Sequence, residues 1–415
     1  MSITIMSNSP RAKGALPQRA ATGFIAPLEG MRAIAAVGVV TTHVAFLTGT
    51  STGSVIARIW GRFDLWVAVF FALSGFLMWR GIARAARADA PPRPAGSYFR
   101  SRAARILPAY LAMALTALVL LPGNVGLPIR DWIANLLLLQ VFVPGSLVDG
   151  LTHAWSLSVE ATFYVVLPVL WLALRPLSGR AARWRAPIIA AVAVISLGWA
   201  YLPLAAWGLP GEVNTHTLPP AFASWFAAGM LLAEFVAAPP AWLLRLYAAR
   251  WSRWAWWALA AAVFLTTTST RLYTEGFVQA TPAEFAGRTF SGALIAWCLL
   301  SPLVLAAPGA RFRVLSSPPM LALGRWSYGI FLWHVLVLQL LFSPLDVPMF
   351  GGHMALMWVA TLLVTIVVAA ASYSWVEEPA RRFWSARSAA RAERSAEESS
   401  VARAKTTESA ASPKS

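Results

Sequence analysis

The chain reads as an all-α membrane protein, a polytopic bundle of about ten transmembrane helices, and three observations carry that reading. Of its 415 residues, 58% are hydrophobic and only 12% charged, against about 25% charged in soluble domains. The apolar residues gather in runs near the twenty or so that a helix needs to cross a bilayer. The basic residues sit in the gaps between those runs, where they report orientation. They do not build the continuous basic face that nucleic-acid binding requires.

The runs fall at residues 31–48, 64–80, 106–121, 155–174, 187–207, 220–238, 254–270, 288–307, 326–342 and 354–375. With the N-terminus in the cytoplasm, the inner gaps hold seventeen arginines. The outer ones hold five, Arg58, Arg62, Arg130, Arg271 and Arg288. That asymmetry places both termini on the cytoplasmic side of the cell membrane. Residues 131–143 are also apolar but reach only about 20 Å as a helix, too short to cross. They are expected to form a re-entrant or interfacial helix on the outer side. Three segments follow: a polar, disordered cytoplasmic N-terminus over 1–27, a membrane domain over 28–384, and a disordered cytoplasmic tail over 385–415. No cleavable leader pattern precedes the first run, so it should stay as an anchor. The single cysteine, Cys298, excludes an intramolecular disulfide and reads as a packing residue.

Polar groups inside the runs mark where chemistry could sit, because such groups are costly in a bilayer. His43 follows Arg32 by eleven residues, about 16 Å of helix and close to three turns. The two share a face, the arginine at the membrane edge and the imidazole within. Glu29 and Arg32 also fit a helix-start pair. Asp64 stands where the second run begins and fits either a catalytic role or an N-cap. Ser74-Gly75 fits a close helix contact. Arg102 and Arg105 are three apart on one face at the inner mouth. They suit a phosphate clamp as well as ordinary membrane anchoring.

Ser156, Glu160 and Tyr164 recur at a four-residue spacing with Ser158 among them, so Glu160 could reach and orient His43. The segment Leu323 to His334 carries Arg325, Ser327 and His334, the last two on one face. His334 is either a second site residue or a hydrogen bond between helices. His153, His216 and His353 fall outside the runs or at their outer edge, and Glu377 to Arg382 reads as an inner anchor. The five histidines show no metal-ligand spacing, so no metal is expected. There is no phosphate-cradling glycine loop and no Gly-x-Ser-x-Gly elbow.

Five of these segments, in order, resemble the acyltransferase 3 family of integral membrane O-acyltransferases. They are LEGMRAIAAVGVVTTH, DLWVAVFFALSGFLM, RAARILPAY, WSLSVEATFY and LGRWSYGIFLWH. The resemblance runs from about Leu28 to Arg382. It implies transfer of an acyl group, commonly acetyl, from cytoplasmic acyl-CoA to a hydroxyl. The acceptor would be a cell-envelope glycan, a glycolipid or a secreted small molecule. It further implies His43 as the catalytic residue, Arg32, Arg102 and Arg105 on the CoA side, and Glu160 in the reaction centre. Two positions depart from the family pattern, Glu29 in place of Asp and Phe331 where Tyr is frequent. Some members carry a fused hydrolase-like domain; with only a short tail, this chain is expected to act alone or with a partner protein that delivers the acceptor. The competing reading is a proton-coupled transporter or flippase of a polar lipid or glycan, with His43, Glu160 and His334 as its relay. The lack of an internal repeat speaks against it.

Overall fold

The computed structural model describes residues 23–88, 95–249, 251–269, 280–307, 309–384 and 386–387. The polar segments expected over 1–27 and 385–415 lie outside these apart from 23–27, 386 and 387. Among the described residues every regular element is helical. In chain order they are α1 (Ala26–Leu47), α2 (Val55–Arg62), α3 (Trp66–Ala88), α4 (Ala95–Leu120), α5 (Ile129–Leu136), α6 (Trp155–Ala173) and α7 (Arg185–Ser196). Then come α8 (Ala223–Ala237), α9 (Ala241–Ala248), α10 (Ser252–Thr267), α11 (Pro282–Leu305), α12 (Pro318–Leu341) and α13 (Met354–Ser372). Pro27, Pro282 and Pro318 each stand in a first turn, where the missing N–H leaves no bond unmade.

Nine helical stretches among the described residues are long and apolar enough to cross a membrane. The remaining expected crossing, 254–270, falls on α10, whose 16 residues cover about 24 Å. It nonetheless runs from one end of the bundle to the other. At its start Arg253 Nη1 donates to the carbonyl of Arg311 (3.1 Å), beyond the end of α11. Near its finish the Phe264 ring meets Phe63 at 5.4 Å, beside Asp64, which pairs with Arg288 in the second turn of α11. The run expected over 187–207 stops sooner. Leu202 is extended (φ −73°, ψ 135°) because Pro203 follows it.

The two ends of the bundle differ in charge. One, the arginine end, holds Arg80 and Arg87 of α3, Arg102 and Arg105 of α4, and Arg32 of α1. Both ends of the membrane domain lie there: Gly23 accepts from Arg80 Nη1 (3.0 Å), and the π-helical turn Tyr373–Glu377 after α13 packs on α4. The opposite end holds Asp64 and Arg288.

Residues 131–143 do not cross. They hold the short helix α5 and a turn in which Leu138 has φ 59°. Asn135 is fully buried, donating to the carbonyls of Asp131 and Ser146, both at 2.8 Å, and accepting from the Tyr110 hydroxyl (2.5 Å). Tyr110 lies ten residues, about 15 Å, back from the end of α4. The segment therefore dips into the bundle from the Asp64 end and returns.

Helices α3 and α8 pack closest. A Cβ on Gly229 would sit 1.8 Å from the Ala72 carbonyl oxygen, and one on Gly75 2.2 Å from that of Phe226. Small residues let two backbones touch where hydrophobicity alone gives no drive to associate. Further along the same contact Glu234 is fully buried. Its carboxylate accepts from Trp79 Nε1 (2.7 Å), Arg185 Nε (2.9 Å) and Arg87 Nη1 (2.5 Å). This ties α3, α7 and α8 together at the arginine end. Removing one partner of such a pair strands the other charge, at about 3–5 kcal/mol. Glu234→Ala is expected to destabilise by that amount, read as a lowered melting temperature of the detergent-solubilised protein; an unchanged melt would make the cluster dispensable.

Candidate active site

A cleft of about 730 Å³, its open mouth included, enters among α1, α3, α4, α6 and α12. Arg32, Arg102 and Arg105 line it toward the arginine end, and Ser156, in the first turn of α6, lines it toward the other. An apolar wall from α3, with Ile106 of α4, encloses it between. Arg32 pairs loosely with Glu29 at 3.8 Å. Arg102 keeps a buried Nε without a partner. Three guanidinium groups line the cleft against one lining carboxylate, Glu160, while Glu29 and the buried Glu377 stand near Arg32 and Arg105. An unpartnered buried donor is the feature a phosphate-bearing ligand would complete.

Glu160 faces the same cleft. Its Oε1 accepts from the hydroxyls of Ser74 and of Tyr164, the latter at 2.6 Å. Tyr98 on α4 donates to the Tyr164 carbonyl (3.3 Å), tying α4 to α6. The expectation that Glu160 orients His43 is therefore corrected: the two hydroxyls occupy it on the arginine side. Asp64 does not orient His43 either. It sits inside the 3-10 turn Phe63–Leu65, makes no cap bond, and pairs with Arg288 Nη2 (2.7 Å) and Arg62 Nη1 (3.8 Å). The N-cap expectation fails because the turn continues straight from α2 into α3.

His43 is oriented by other groups. Its Nδ1 lies 2.9 Å from the Val39 carbonyl oxygen, which only accepts, so this nitrogen carries the hydrogen. The same nitrogen lies 3.2 Å from His334 Nε2. His334 Nδ1 in turn faces the Phe331 carbonyl at 2.7 Å and that of Ile330 at 3.2 Å, so its own hydrogen is there and its Nε2 accepts from His43. Backbone carbonyls thus set both tautomers, and His43 Nε2 is left as a lone pair.

A third imidazole completes the cluster, and its position corrects the expectation for His153. Rather than lying at the outer edge, it is 2% exposed. Its ring centroid is 4.9 Å from that of His334 and 6.1 Å from that of His43. The 3-10 turn Thr152–Ala154 carries it inward, and its Nε2 donates to the Leu332 carbonyl at 3.1 Å. Standing two residues before the run at 155–174, it reads as a surface residue in the sequence. Its place directly before Ala154-Trp155-Ser156, in a stretch with no charged residue, was the available sign.

The cleft and the histidine cluster are neighbours without being continuous. Phe331 lines the cleft while its ring lies 5.3 Å from His153 and 5.8 Å from His334. Phe70 stands beside it at 5.9 Å. His43 is partly exposed but does not line the cleft. Of the other expected residues, Ser156 donates to the His153 carbonyl (3.0 Å) and Ser327 to the Gly324 carbonyl (2.7 Å). Ser158 is fully buried with an unpartnered hydroxyl, and Arg325 is exposed away from the site. His216 lies at the Asp64 end, stacked on Phe285 at 4.1 Å. Burial, and then the charge of Arg288, hold its pKa below the usual imidazole range. No group of three or more His, Cys, Asp or Glu among the described residues is placed to hold a metal ion.

The family model for the acyltransferase domain Acyl_transf_3 matches residues 25–374. The acyltransferase MdmB of Streptomyces mycarofaciens is 26% identical over 387 residues, 86% of this chain and 91% of that protein. Nodulation protein 10 of Rhizobium leguminosarum bv. viciae is 28% identical over 343 residues, 76% of this chain and 82% of that protein. The exopolysaccharide production protein ExoZ of Rhizobium meliloti is 27% identical over 327 residues, 76% of this chain and 89% of that protein. No solved structure matches the chain. With a match that spans nearly the whole helical bundle, the chain belongs to the acyltransferase 3 family and is a multi-pass membrane acyltransferase.

Proposed function

We propose that the protein is an O-acyltransferase that moves an acyl group, acetyl first, from acyl-CoA to a hydroxyl of a sugar-containing acceptor. The observation that carries this reading is the division of the site. A cationic cleft ends at an aromatic wall, and behind it lies the histidine cluster that holds the free lone pair of His43. In this reading the arginine end is cytoplasmic, as the placement of basic residues favours, and both termini lie on that side. The CoA phosphates rest on Arg32, Arg102 and Arg105. The extended pantetheine arm runs along the cleft toward Phe331, over the three turns that separate Arg32 from His43.

His43 Nε2 takes the proton of the acceptor hydroxyl as its oxygen attacks the thioester carbonyl carbon. The carbon–sulfur bond breaks, and the CoA thiolate takes the proton from His43. His334 Nε2, accepting from His43 Nδ1–H, holds the ring and stabilises its charged form, the part a carboxylate plays in a catalytic triad. In the alternative route His43 is acylated first and hands the group on; the same residues serve both. Envelope glycans are the favoured acceptors, since ExoZ is named for exopolysaccharide production. Glycolipids and small glycosylated molecules remain within the class, and a partner protein could deliver any of them.

The relay that a proton-coupled transporter would need is broken in this geometry. Glu160 bonds to Ser74 and Tyr164, and no hydrogen bond joins it to either histidine of the relay. The test is acyl-CoA-dependent release of free CoA by membranes holding the chain, with an envelope glycan extract as acceptor. Wild type is expected to release CoA and leave an acylated glycan detectable by mass. His334→Phe is expected to lose at least about tenfold in kcat, since a correctly oriented base contributes 10² or more. No release by wild type, with pH-driven glycan flux instead, would overturn the reading.

A further inference from the structure

The three imidazoles of the cluster are not equally satisfied. His334 has both ring nitrogens engaged, and His43 spends its one hydrogen on Val39 and His334. His153 gives its hydrogen to Leu332, and its Nδ1 is buried without any partner. A packing residue has no use for such a lone pair, and burying one unpaired costs about 1–3 kcal/mol. No neighbour described around it can supply the missing hydrogen. The Ser156 hydroxyl is committed to the His153 carbonyl, Phe331 covers the ring with carbon, and the other imidazoles have spent their hydrogens. The hydrogen comes from outside the packed side chains, from water or from a ligand.

Two lone pairs, His43 Nε2 and His153 Nδ1, thus remain on rings whose centroids are 6.1 Å apart and whose planes are steeply inclined, at 76°. A lone pair on a neutral imidazole binds a group that donates, and in an acyl acceptor that group is a hydroxyl. We infer that His153 binds a second hydroxyl of the acceptor, and that the acceptor is a vicinal diol held between His43 and His153. One hydroxyl donates to His43 and is acylated; its neighbour donates to His153 and sets the position attacked. This inference rests on the acyltransfer reading and narrows its acceptor class.

The experiment compares wild type, His153→Gln and His153→Asn in membranes, with acetyl-CoA and an envelope glycan extract. Glutamine places its amide near Nε2 and keeps the bond to Leu332, but has no acceptor at the δ position. Asparagine puts an oxygen near Nδ1 and gives up that bond. Loss of one hydrogen bond predicts a rise in apparent KM for the extract of about three- to tenfold in His153→Gln. Little change in kcat is expected there, and a KM near wild type in His153→Asn. An unchanged KM in His153→Gln, or equal loss in both variants, overturns the role.

The diol is tested on wild type alone. Oxidising the extract with periodate, which cleaves between adjacent hydroxyls, followed by borohydride reduction, is expected to abolish its use as acceptor. Undiminished use of the oxidised extract overturns the acceptor class. Absence of CoA release by wild type with untreated extract removes the acyltransfer reading, and this inference with it.

Discussion

Membranes carrying His43→Ala are expected to transfer acyl groups about 10²- to 10⁴-fold more slowly than wild type, the range that a positioned general base supplies. The loss should appear in kcat, with the apparent affinity for acyl-CoA nearly unchanged, because His43 does not line the cleft. The bundle should survive the change. The imidazole ties α1 to its neighbours only through His334 Nε2, and its other bond is to Val39 in the same helix. Labelled donor without acceptor separates the two chemical routes. Label retained on wild type and absent from His43→Ala would show an acyl-histidine, whereas label on neither would favour direct transfer. Equal CoA release from both proteins would remove His43 from the chemistry.

The second large effect belongs to the other end of the cleft. Arg102→Ala with Arg105→Ala is expected to raise the apparent KM for acyl-CoA by about two orders of magnitude. Each charge-assisted bond contributes about 1.5–3 kcal/mol. Acetyl-pantetheine, which lacks the nucleotide phosphates, is the control. Wild type should strongly prefer the CoA form, and the double variant should use the two thioesters alike. High salt should weaken wild-type affinity for acyl-CoA, as it screens exposed charge, and barely touch the variant. A double variant with wild-type KM would return the two arginines to the role of membrane anchors.

Much of this architecture was legible in the chain, because a bilayer imposes few solutions. The expected runs lie on helices, and the short stretch 131–143 does stay on one side. The run at 187–207 came out too long because a window of apolar residues takes no account of Pro203, which ends the helical turn before it. The face shared by Arg32 and His43 follows from helical spacing, and so does the i, i+4 bond between Tyr164 and Glu160. What the spacing could not reach was pairing between helices. Glu160 lies seven residues, about 10 Å of helix, along from His153, which adjoins His43, so the carboxylate stands nearer the arginine end, beside Ser74. His334 meets His43 from a helix nearly three hundred residues away. Glu234 was legible by the reasoning applied to Glu160, a lone carboxylate within an apolar run. Its three partners lie on α3 and α7, which no local pattern connects.

The Phe70–Phe331 wall has a consequence for the cell as well as for the reaction. The arginine cleft is open at one end of the bundle, and His43, which does not line it, is partly exposed. Were the two spaces joined, a file of water and imidazoles would run across the membrane, and each proton carried along it would dissipate about 2.3 kcal/mol per 100 mV. The Phe70–Phe331 pair places a layer of aromatic carbon where such a file would have to pass. An acyl chain can pass such a layer by displacing it for a moment, whereas a hydrated ion cannot. In the proposed reaction the protein would hand an acyl group past this layer while keeping the two spaces apart.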